Sequence, residues 1–208
     1  MIAIVDYGMG NVGSVANMLK RLGLAAVVTA SATEIARAER LILPGVGAFD
    51  AGMEGLEQRG LVSVLEDRVL GDQIPVLGFC LGMQLMTRGS DEGTRLGLGW
   101  VNASTIRFDM SSCEPRRKVP HMGWNTVLPA RDAPLFAGLA QSRFYFVHSY
   151  HVRCDAAADV AARTEYGYWF DSAFAVRNVY GVQFHPEKSH RFGMQLLKNF
   201  ATRVPSPA

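Results

Sequence analysis

A cysteine framed by glycines lies in the first half of the chain, in the segment Gly-Phe-Cys80-Leu-Gly. The apolar run before it predicts a strand and the pattern after it predicts a helix, which is the arrangement of a nucleophile elbow with cysteine in place of serine. Glycines two residues to either side are needed because the sharp turn brings neighbouring backbones too close for side chains. The following helix N-terminus favours a thiolate. We therefore interpret Cys80 as a nucleophile.

The alternative for any cysteine is a buried structural role, which is its common fate. We favour that role, or simple exposure, for Cys113 and Cys154, because neither has flanking glycines at a strand end. The elbow by itself leaves the reaction open.

A cysteine nucleophile requires a base that is held by a third group. The chain has five histidines, at positions 121, 148, 151, 185 and 190. His185 follows an apolar run at 180–184 and precedes Pro186 and Glu187. Proline disfavours a helical conformation at His185, and residues two apart on an extended segment point the same way. We expect Glu187 to orient His185 as the base, the alternative being a surface turn.

Backbone amides are needed where negative charge develops on the attacked carbonyl. The amide of Leu81, directly after the nucleophile, is the natural first donor. The loop that contains Gly45, Val46 and Gly47 ends its own apolar run and has the freedom to present a second amide. Its alternative interpretation is an ordinary tight turn.

The overall composition excludes several classes of protein. The chain has 208 residues, of which 49% are hydrophobic, and a net charge of +2. This length fits one sizeable domain, and the charge gives no reason to expect nucleic acid or an anionic membrane as a partner. No apolar run reaches the roughly 20 residues of a membrane span, and the N-terminus lacks a signal-peptide pattern. For these two reasons we expect a cytoplasmic protein. We expect no metal and no cofactor, and the cysteines have no metal-ligand spacing.

The chemical residues are positioned by alternating strand and helix patterns. Apolar runs at 2–5, 25–29, 41–43 and 75–79 predict strands, and helical spacing at 15–22, 33–38 and 61–70 separates them. This rhythm predicts an α/β fold with a mostly parallel central sheet covered by helices on both faces. Ligands in such folds collect at the carboxyl ends of strands, where Cys80 and His185 both lie.

The second half has more β character and predicts added antiparallel strands. The predicted strands are 100–108, 124–128, 144–147, 168–176 and 180–184, followed by an amphipathic helix over 190–201. We predict a surface loop at 111–118. The domain is expected to span 1–203, with 204–208 as a frayed tail.

Taken together, the elbow, the Pro44–Gly47 loop and the His185-Pro-Glu187 segment resemble the class I, or triad, glutamine amidotransferases, and they occur in that family's order. The resemblance covers nearly the whole chain and implies the flavodoxin-like fold of that family. It also implies that L-glutamine is the substrate. It assigns substrate binding to Gly45, Gln84 and Glu92, with backbone groups at His148, Ser149 and Tyr150. Gln84 could otherwise be a solvated helix residue and Glu92 a loop charge.

Four further segments resemble one branch of the family, the glutaminase subunits of imidazole glycerol phosphate synthases. They are Asp-Tyr-Gly-Met-Gly-Asn at 6–11, Pro-His-Met-Gly-Trp-Asn at 120–125, Phe-Tyr-Phe-Val-His-Ser-Tyr at 144–150 and Tyr-Gly-Val-Gln-Phe-His-Pro-Glu-Lys-Ser at 180–189. Met83, where many relatives have histidine, fits this branch, whereas Phe79 departs modestly from the usual small aliphatic residue.

The narrower resemblance implies a separate (βα)8-barrel cyclase subunit that receives ammonia in a heterodimer for histidine biosynthesis. It places Asn11, Met122, Trp124, Tyr145 and Lys188 on the face towards this partner, although Met122 and Trp124 could equally be core residues.

Two other functions remain open from the sequence. The chain could serve another glutamine-dependent pathway, although Met83 and the 120–125 segment disfavour this. It could also be a non-catalytic redox or binding protein on the same fold, but that role has no use for Glu187 or Gln84.

Overall fold

The structure, a computed structural model, describes residues 1–130 and 133–205. Within these residues, eleven strands occur in the order β1 (Ile2–Val5), β2 (Ala26–Thr29), β3 (Arg40–Leu43), β4 (Val76–Phe79), β5 (Ala103–Arg107), β6 (His121–Pro129), β7 (Ser142–His148), β8 (Tyr150–Cys154), β9 (Val160–Tyr166), β10 (Tyr168–Val176) and β11 (Val179–Val182). Nine of them form one sheet in the order β2-β1-β3-β4-β11-β10-β9-β6-β7, and β5 pairs with β8.

The first five strands of that sheet, from β2 to β11, are mutually parallel, and the remaining neighbours are antiparallel. Strands β1, β4 and β11 are buried at every residue, as expected where helices cover both faces of a sheet. The predicted mostly parallel sheet with added antiparallel strands is confirmed.

In the described part of the chain, six α-helices cover the two faces: α1 (Val12–Arg21), α2 (Ala32–Ala36), α3 (Phe49–Gln58), α4 (Val62–Glu66), α5 (Leu81–Leu85) and α6 (His190–Thr202). Side chains alternate along a strand, so Ile2 and Ile4 of β1 pack with α1 and α6 on one face. Ala3 and Val5 pack with helices α2 to α5 on the other. The sheet therefore separates two hydrophobic cores. The carboxyl ends of its parallel strands are the edge at which a site is expected.

Several boundaries differ from the prediction. Strands β8 and β9 and helix α3 were not predicted. The 111–118 segment is an irregular loop, as predicted, but it is not wholly at the surface because Cys113 is buried. The last predicted helix is present as α6, one residue longer at its end.

The predicted tail begins too early. Val204 is only 2% exposed, its N–H donates to Asn199 O, and its carbonyl accepts a hydrogen bond from Arg40 at 2.8 Å. Packing against the core thus holds Val204 in place, whereas residues 206–208 of the predicted tail lie outside the described residues. In the described ranges, no helix has the length and apolarity to cross a membrane.

Candidate active site

Cys80 lies at the turn between β4 and α5, at the carboxyl edge of the parallel strands. Its backbone has φ +48° and ψ −107°, a region that non-glycine residues rarely adopt and that is retained only where the surrounding structure enforces it. The Cys80 N–H donates to Val182 O of β11 at 2.8 Å, which fixes the turn against the neighbouring strand. The geometry is that of the predicted elbow.

The two glycines of the elbow are required by the packing around it. A β-carbon at Gly78 would lie 2.6 Å from the backbone nitrogen of Met83, and a β-carbon at Gly82 would overlap the carbonyl oxygen of Leu43. Both neighbours are backbone atoms, which cannot rotate away as a side chain does. The glycines therefore let α5 approach β3 and β4 closely enough to set the position of Cys80.

His185 and Glu187 are in direct contact. The His185 Nδ1 and Glu187 Oε1 atoms are 2.8 Å apart, and the side chains are 1% and 4% exposed. The expectation that an extended segment aligns them is wrong, because Pro186–Lys188 is a 3-10 turn. Proline suits the first position of such a turn, since its φ is already fixed near the required value. The turn carries Glu187 back towards the ring.

Further contacts position the histidine from the backbone side. The His185 N–H donates to Tyr145 O at 2.9 Å. The hydroxyl of buried Ser189 donates to His185 O at 2.6 Å and accepts from the Tyr145 N–H at 3.0 Å. Ser189 therefore links β7 to the segment that carries the base, a role for which the amino-acid pattern contains no signal.

The second ring nitrogen of His185 is directed to the cysteine. Nε2 is buried and has no partner of hydrogen-bonding geometry in the described part of the chain. Burial lowers the pKa of His185, but the interactions with Cys80 and Glu187 outweigh it and raise the pKa to about 10. His185 thus carries a proton at neutral pH that it can deliver to a leaving group beside the sulfur.

A cavity of about 250 Å³ opens onto Cys80. Its lining contains nearly all residues that the family resemblance assigns to the substrate, together with two residues of the oxyanion loop: Val46, Gly47, Gln84, Glu92, His148, Ser149 and Tyr150. These residues come from four separate parts of the chain and meet only in the folded structure. Gly45 is adjacent but is packed against Gly82 and Leu81 below the cavity.

A row of buried amides connects the cavity floor to the sulfur. Gln84 Nε2 donates to Tyr150 O at 3.1 Å and to Gln183 Oε1 at 3.2 Å, and Gln183 Nε2 lies 3.6 Å from Cys80 Sγ. Gln183 is fully buried. It was not predicted as a site residue, although its position two residues before His185 on an apolar strand was a signal, because a buried polar residue must have partners. The alternative of a solvated Gln84 is wrong, since its side chain is buried.

Glu92 lines the cavity and also accepts a hydrogen bond from the backbone. Its Oε2 accepts from the Phe49 N–H at 2.9 Å, at the start of α3. This bond holds the exposed Glu92 at the mouth of the cavity that Val46 and Gly47 also line.

His148 is hydrogen-bonded to Tyr150 and His121, and His121 is in turn hydrogen-bonded to Asn125. His148 Nδ1 lies 2.8 Å from Tyr150 O, its Nε2 lies 2.9 Å from His121 Nδ1, and His121 Nε2 lies 3.2 Å from Asn125 Nδ2. Because Tyr150 O can only accept, the proton of His148 is on Nδ1. Burial lowers the pKa of His148 and lowers that of His121 to about 4, so both rings are neutral.

Three backbone amides near the sulfur have no acceptor within the residues that the structure describes, those of Val46, Gly47 and Leu81. Gly47 has φ +133°, which a residue with a side chain rarely adopts. Val46 and Gly47 line the cavity on one side and Leu81 follows Cys80 on the other. These are the amides predicted for the oxyanion.

Of the five residues predicted to face a partner, Tyr145 is half-buried and the other four are exposed. Trp124 is 39% and Met122 62% exposed, so the alternative of a core position is wrong for both. Trp124 contacts the Tyr145 ring edge-on at 6.2 Å, and Lys188 Nζ lies 5.6 Å from that ring. Asn11, also exposed, caps α1, and that helix contacts the 186–188 turn.

No group of three or more histidine, cysteine or acidic residues with metal-binding geometry occurs between residues 1 and 130 or between 133 and 205. The site consists of a strained cysteine, a protonated histidine with its carboxylate, and unpaired amides around a small cavity that Gln84 and Glu92 help to line. Such a set can carry out acyl transfer from an amide through a thioester.

Comparison with known proteins agrees with this chemistry. Residues 3–204 match the family model "Glutamine amidotransferase class-I". A crystal structure of a glutamine amidotransferase superposes with a TM-score of 0.74 at 18% identity, over 97% of this chain and 99% of that one. A glutamine amidotransferase from Thermotoga maritima has a TM-score of 0.63 at 15% identity, over 98% of this chain and 83% of that one. These two structures support the fold.

The chain belongs to the class I glutamine amidotransferase family. Within it, the chain is 51% identical over 205 residues to imidazole glycerol phosphate synthase subunit HisH 2 of Pseudomonas aeruginosa, covering 98% of this chain and all of that one. It is 50% identical to the HisH 2 subunit of Methanococcus maripaludis over 96% and 98% of the two chains. The HisH subunits are thus the branch of the family with which this chain groups.

Proposed function

We propose that the chain is the glutaminase subunit of an imidazole glycerol phosphate synthase and that Cys80, His185 and Glu187 hydrolyse L-glutamine. The observation that carries this proposal is the proximity of the strained Cys80 to the His185–Glu187 pair, whose Nδ1 and Oε1 atoms are 2.8 Å apart, beside a small cavity lined in part by Gln84 and Glu92. The HisH relatives, which are 50% and 51% identical over nearly the whole chain, support the assignment to the histidine pathway.

In the first step the Cys80 thiolate attacks the side-chain carbonyl of glutamine and a C–S bond forms. Negative charge develops on the carbonyl oxygen, which the amides of Leu81 and of the Val46–Gly47 segment stabilise. His185 gives its proton to the amide nitrogen as the C–N bond breaks, so ammonia leaves and a thioester remains.

In the second step His185, now neutral, takes a proton from water, and the water oxygen attacks the thioester carbonyl. The C–S bond breaks, glutamate leaves, and the Cys80 thiolate and protonated His185 are restored. Glu187 keeps the imidazole oriented and stabilises its charge throughout. The balance is glutamine plus water giving glutamate plus ammonia, and the reaction uses no metal or organic cofactor.

Glutamine is recognised through its two charged groups. Gln84 already donates both described bonds through Nε2, so its Oε1 is left to accept from the α-ammonium, next to the Glu92 carboxylate. Backbone groups at Ser149 and Tyr150 line the opposite wall and suit the α-carboxylate. Gln84 and Glu92 therefore select an amino acid over a simple amide.

The ammonia passes to a separate (βα)8-barrel cyclase subunit in a heterodimer. The docking surface is the face formed by Asn11, Met122, Trp124, Tyr145 and Lys188. Four of these residues are exposed, and the carbonyl of the half-buried Tyr145 accepts a hydrogen bond from the His185 N–H beside the site. The cyclase makes imidazole glycerol phosphate and an aminoimidazole carboxamide ribotide for histidine biosynthesis. We place both subunits in the cytoplasm, where the three unpaired cysteines would stay reduced.

Glutamine hydrolysis without an acceptor would waste glutamine. We therefore expect the Pro44–Gly47 loop to present its amides fully only when the partner holds its own ligand, as a shift between two arrangements of the loop. The support for this is that the loop has unpaired amides in this structure and is held by few bonds of its own.

The test is glutamate release from glutamine by the chain alone, with the cyclase, and with the cyclase plus the cyclase ligand. The third mixture should turn over fastest, and Cys80→Ala should abolish the turnover while the matched control Cys154→Ala retains it. Constant activity of the isolated chain would remove the gating. Activity with the partner enzyme of a different pathway would support the alternative pathway, and no glutamate in any mixture would support the redox or binding role.

A further inference from the structure

A buried phenol lies directly behind the proposed oxyanion loop. Tyr7, the second residue after the end of β1, is 1% exposed. Its hydroxyl has no hydrogen-bond partner within the described chain. A buried polar group without a partner is destabilising, and such groups are rare enough in folded proteins to require an explanation.

The position of this hydroxyl is fixed by close backbone packing. A β-carbon at Gly45 would overlap the Tyr7 hydroxyl oxygen, and one at Gly55 of α3 would overlap the Tyr7 carbonyl oxygen. Two glycines therefore hold Tyr7 between α3 and the 44–47 loop. Burial and the nearby Cys80 both raise the pKa of Tyr7, so the hydroxyl keeps its proton and can act only as a neutral donor or acceptor.

The 44–47 loop beside Tyr7 also has backbone groups without hydrogen-bond partners among the described residues. Among the described residues, neither the Val46 nor the Gly47 N–H donates a hydrogen bond, and no carbonyl of residues 44–47 accepts one. The N–H and C=O of one peptide plane point in opposite directions. A loop peptide that turns its N–H towards the cavity must therefore turn its carbonyl towards the interior, where the Tyr7 hydroxyl lies.

We propose that Tyr7 is a positioning residue whose hydroxyl donates a hydrogen bond to a backbone carbonyl of the 44–47 loop when that loop holds the oxyanion. The unpaired donor of this structure and the unpaired carbonyls of the loop are the two halves of that bond. The inference rests on the proposed glutaminase function, since without an oxyanion the loop has no charged group to hold.

The test compares wild type with Tyr7→Phe in the complex with the cyclase and the cyclase ligand. The variant should lower kcat for glutamate release roughly tenfold, the change expected for one buried hydrogen bond, with a much smaller change in KM. Its Tm should be unchanged or higher, because the hydroxyl has no partner to lose in the resting state. Tyr180→Phe, which removes the hydroxyl of another buried tyrosine, in β11, is the matched control and should retain kcat.

Two reagents separate this inference from the glutaminase assignment. A glutamine-analogue diazoketone places a carbonyl in the oxyanion position, whereas iodoacetamide alkylates the sulfur without needing those amides. Tyr7→Phe should slow inactivation by the diazoketone and leave alkylation by iodoacetamide at the wild-type rate. Equal rates for both proteins with the diazoketone, or a Tm several degrees below wild type, would overturn the role of Tyr7. If the wild-type protein releases no glutamate, that result would count against the proposed glutaminase function and not specifically against the role of Tyr7.

Discussion

Adding one methyl group at the elbow is a sharp test of how the site is built. In Gly82→Ala the new β-carbon would overlap the carbonyl oxygen of Leu43. Leu43 is the last residue of β3, directly before the Pro44–Gly47 loop. The strain must therefore be relieved by moving either α5, which carries the Cys80 turn, or the end of β3, which carries the loop.

The size of the effect follows from the atoms involved. Overpacking a buried site costs about 1–3 kcal/mol, and a clash with backbone belongs at the upper end because no side chain can rotate away. The matched control is Gly13→Ala in α1, where no atom lies within 4 Å of the new β-carbon. There alanine should stabilise the protein by about 0.5–1 kcal/mol through its helix propensity. The two variants should thus differ by about 4 kcal/mol.

Urea unfolding at pH 7 measures this difference directly. For a chain of this size each kcal/mol shifts the Tm by roughly 2–4 °C, so Gly82→Ala should melt several degrees lower than wild type. Its glutamate release with the loaded partner should fall further than its alkylation by iodoacetamide, because glutamate release depends on both the sulfur and the loop amides whereas alkylation depends on the sulfur alone. A Gly82→Ala protein within about 1 kcal/mol of wild type would refute the argument that glycine is required by packing there.

Three other changes test the remaining parts of the site. Glu187→Gln should lower kcat by about 10²- to 10⁴-fold, and because Glu187 helps to raise the pKa of His185 to about 10, the alkaline limb of the kcat–pH profile should move to lower pH. Gln84→Met should raise KM for glutamine roughly tenfold with a smaller change in kcat, as measured by initial rates, because an acceptor for the α-ammonium is lost. Stability should fall as pH falls from 6.5 to about 4, measured by urea midpoints, because the folded state holds His121 neutral with a pKa of about 4, a loss of about 3 kcal/mol.

Each of these has a control and a contrary result. Glu34→Gln, an exposed change in α2, should leave the pH profile of wild type in place, and a similar alkaline limb in Glu187→Gln would contradict the pairing. An unchanged KM in Gln84→Met would remove that residue from the substrate site. If stability is constant from pH 6.5 to 4, or if His121→Phe keeps the same slope as wild type, the buried histidines are not the cause.

Strands β1 to β4 and helices α1, α2 and α4 could be predicted because their signals are local, whereas α3 was missed. Alternation of apolar runs with helical spacing marks β1 to β4, and the boundaries shift only by a few residues. Strands β8 and β9 were missed, because their burial depends on pairing with β5 and β10 rather than on a pattern of their own. The 186–188 turn was misjudged for a similar reason, since proline permits both the extended and the 3-10 conformation.

What the amino-acid sequence determined by itself is the elbow, the order of the motifs and the family. Each depends on residues a few positions apart, and a strand, a sharp turn and a helix in succession leave few choices other than glycine around Cys80. Tertiary structure decided the rest. Gln183 reaches Gln84 from 99 positions away and Cys80 from 103, and Tyr7 meets Gly45 from a different strand end. Contacts of that kind have no period or spacing in the chain, because they exist only where the carboxyl ends of parallel strands come together at one edge of the sheet.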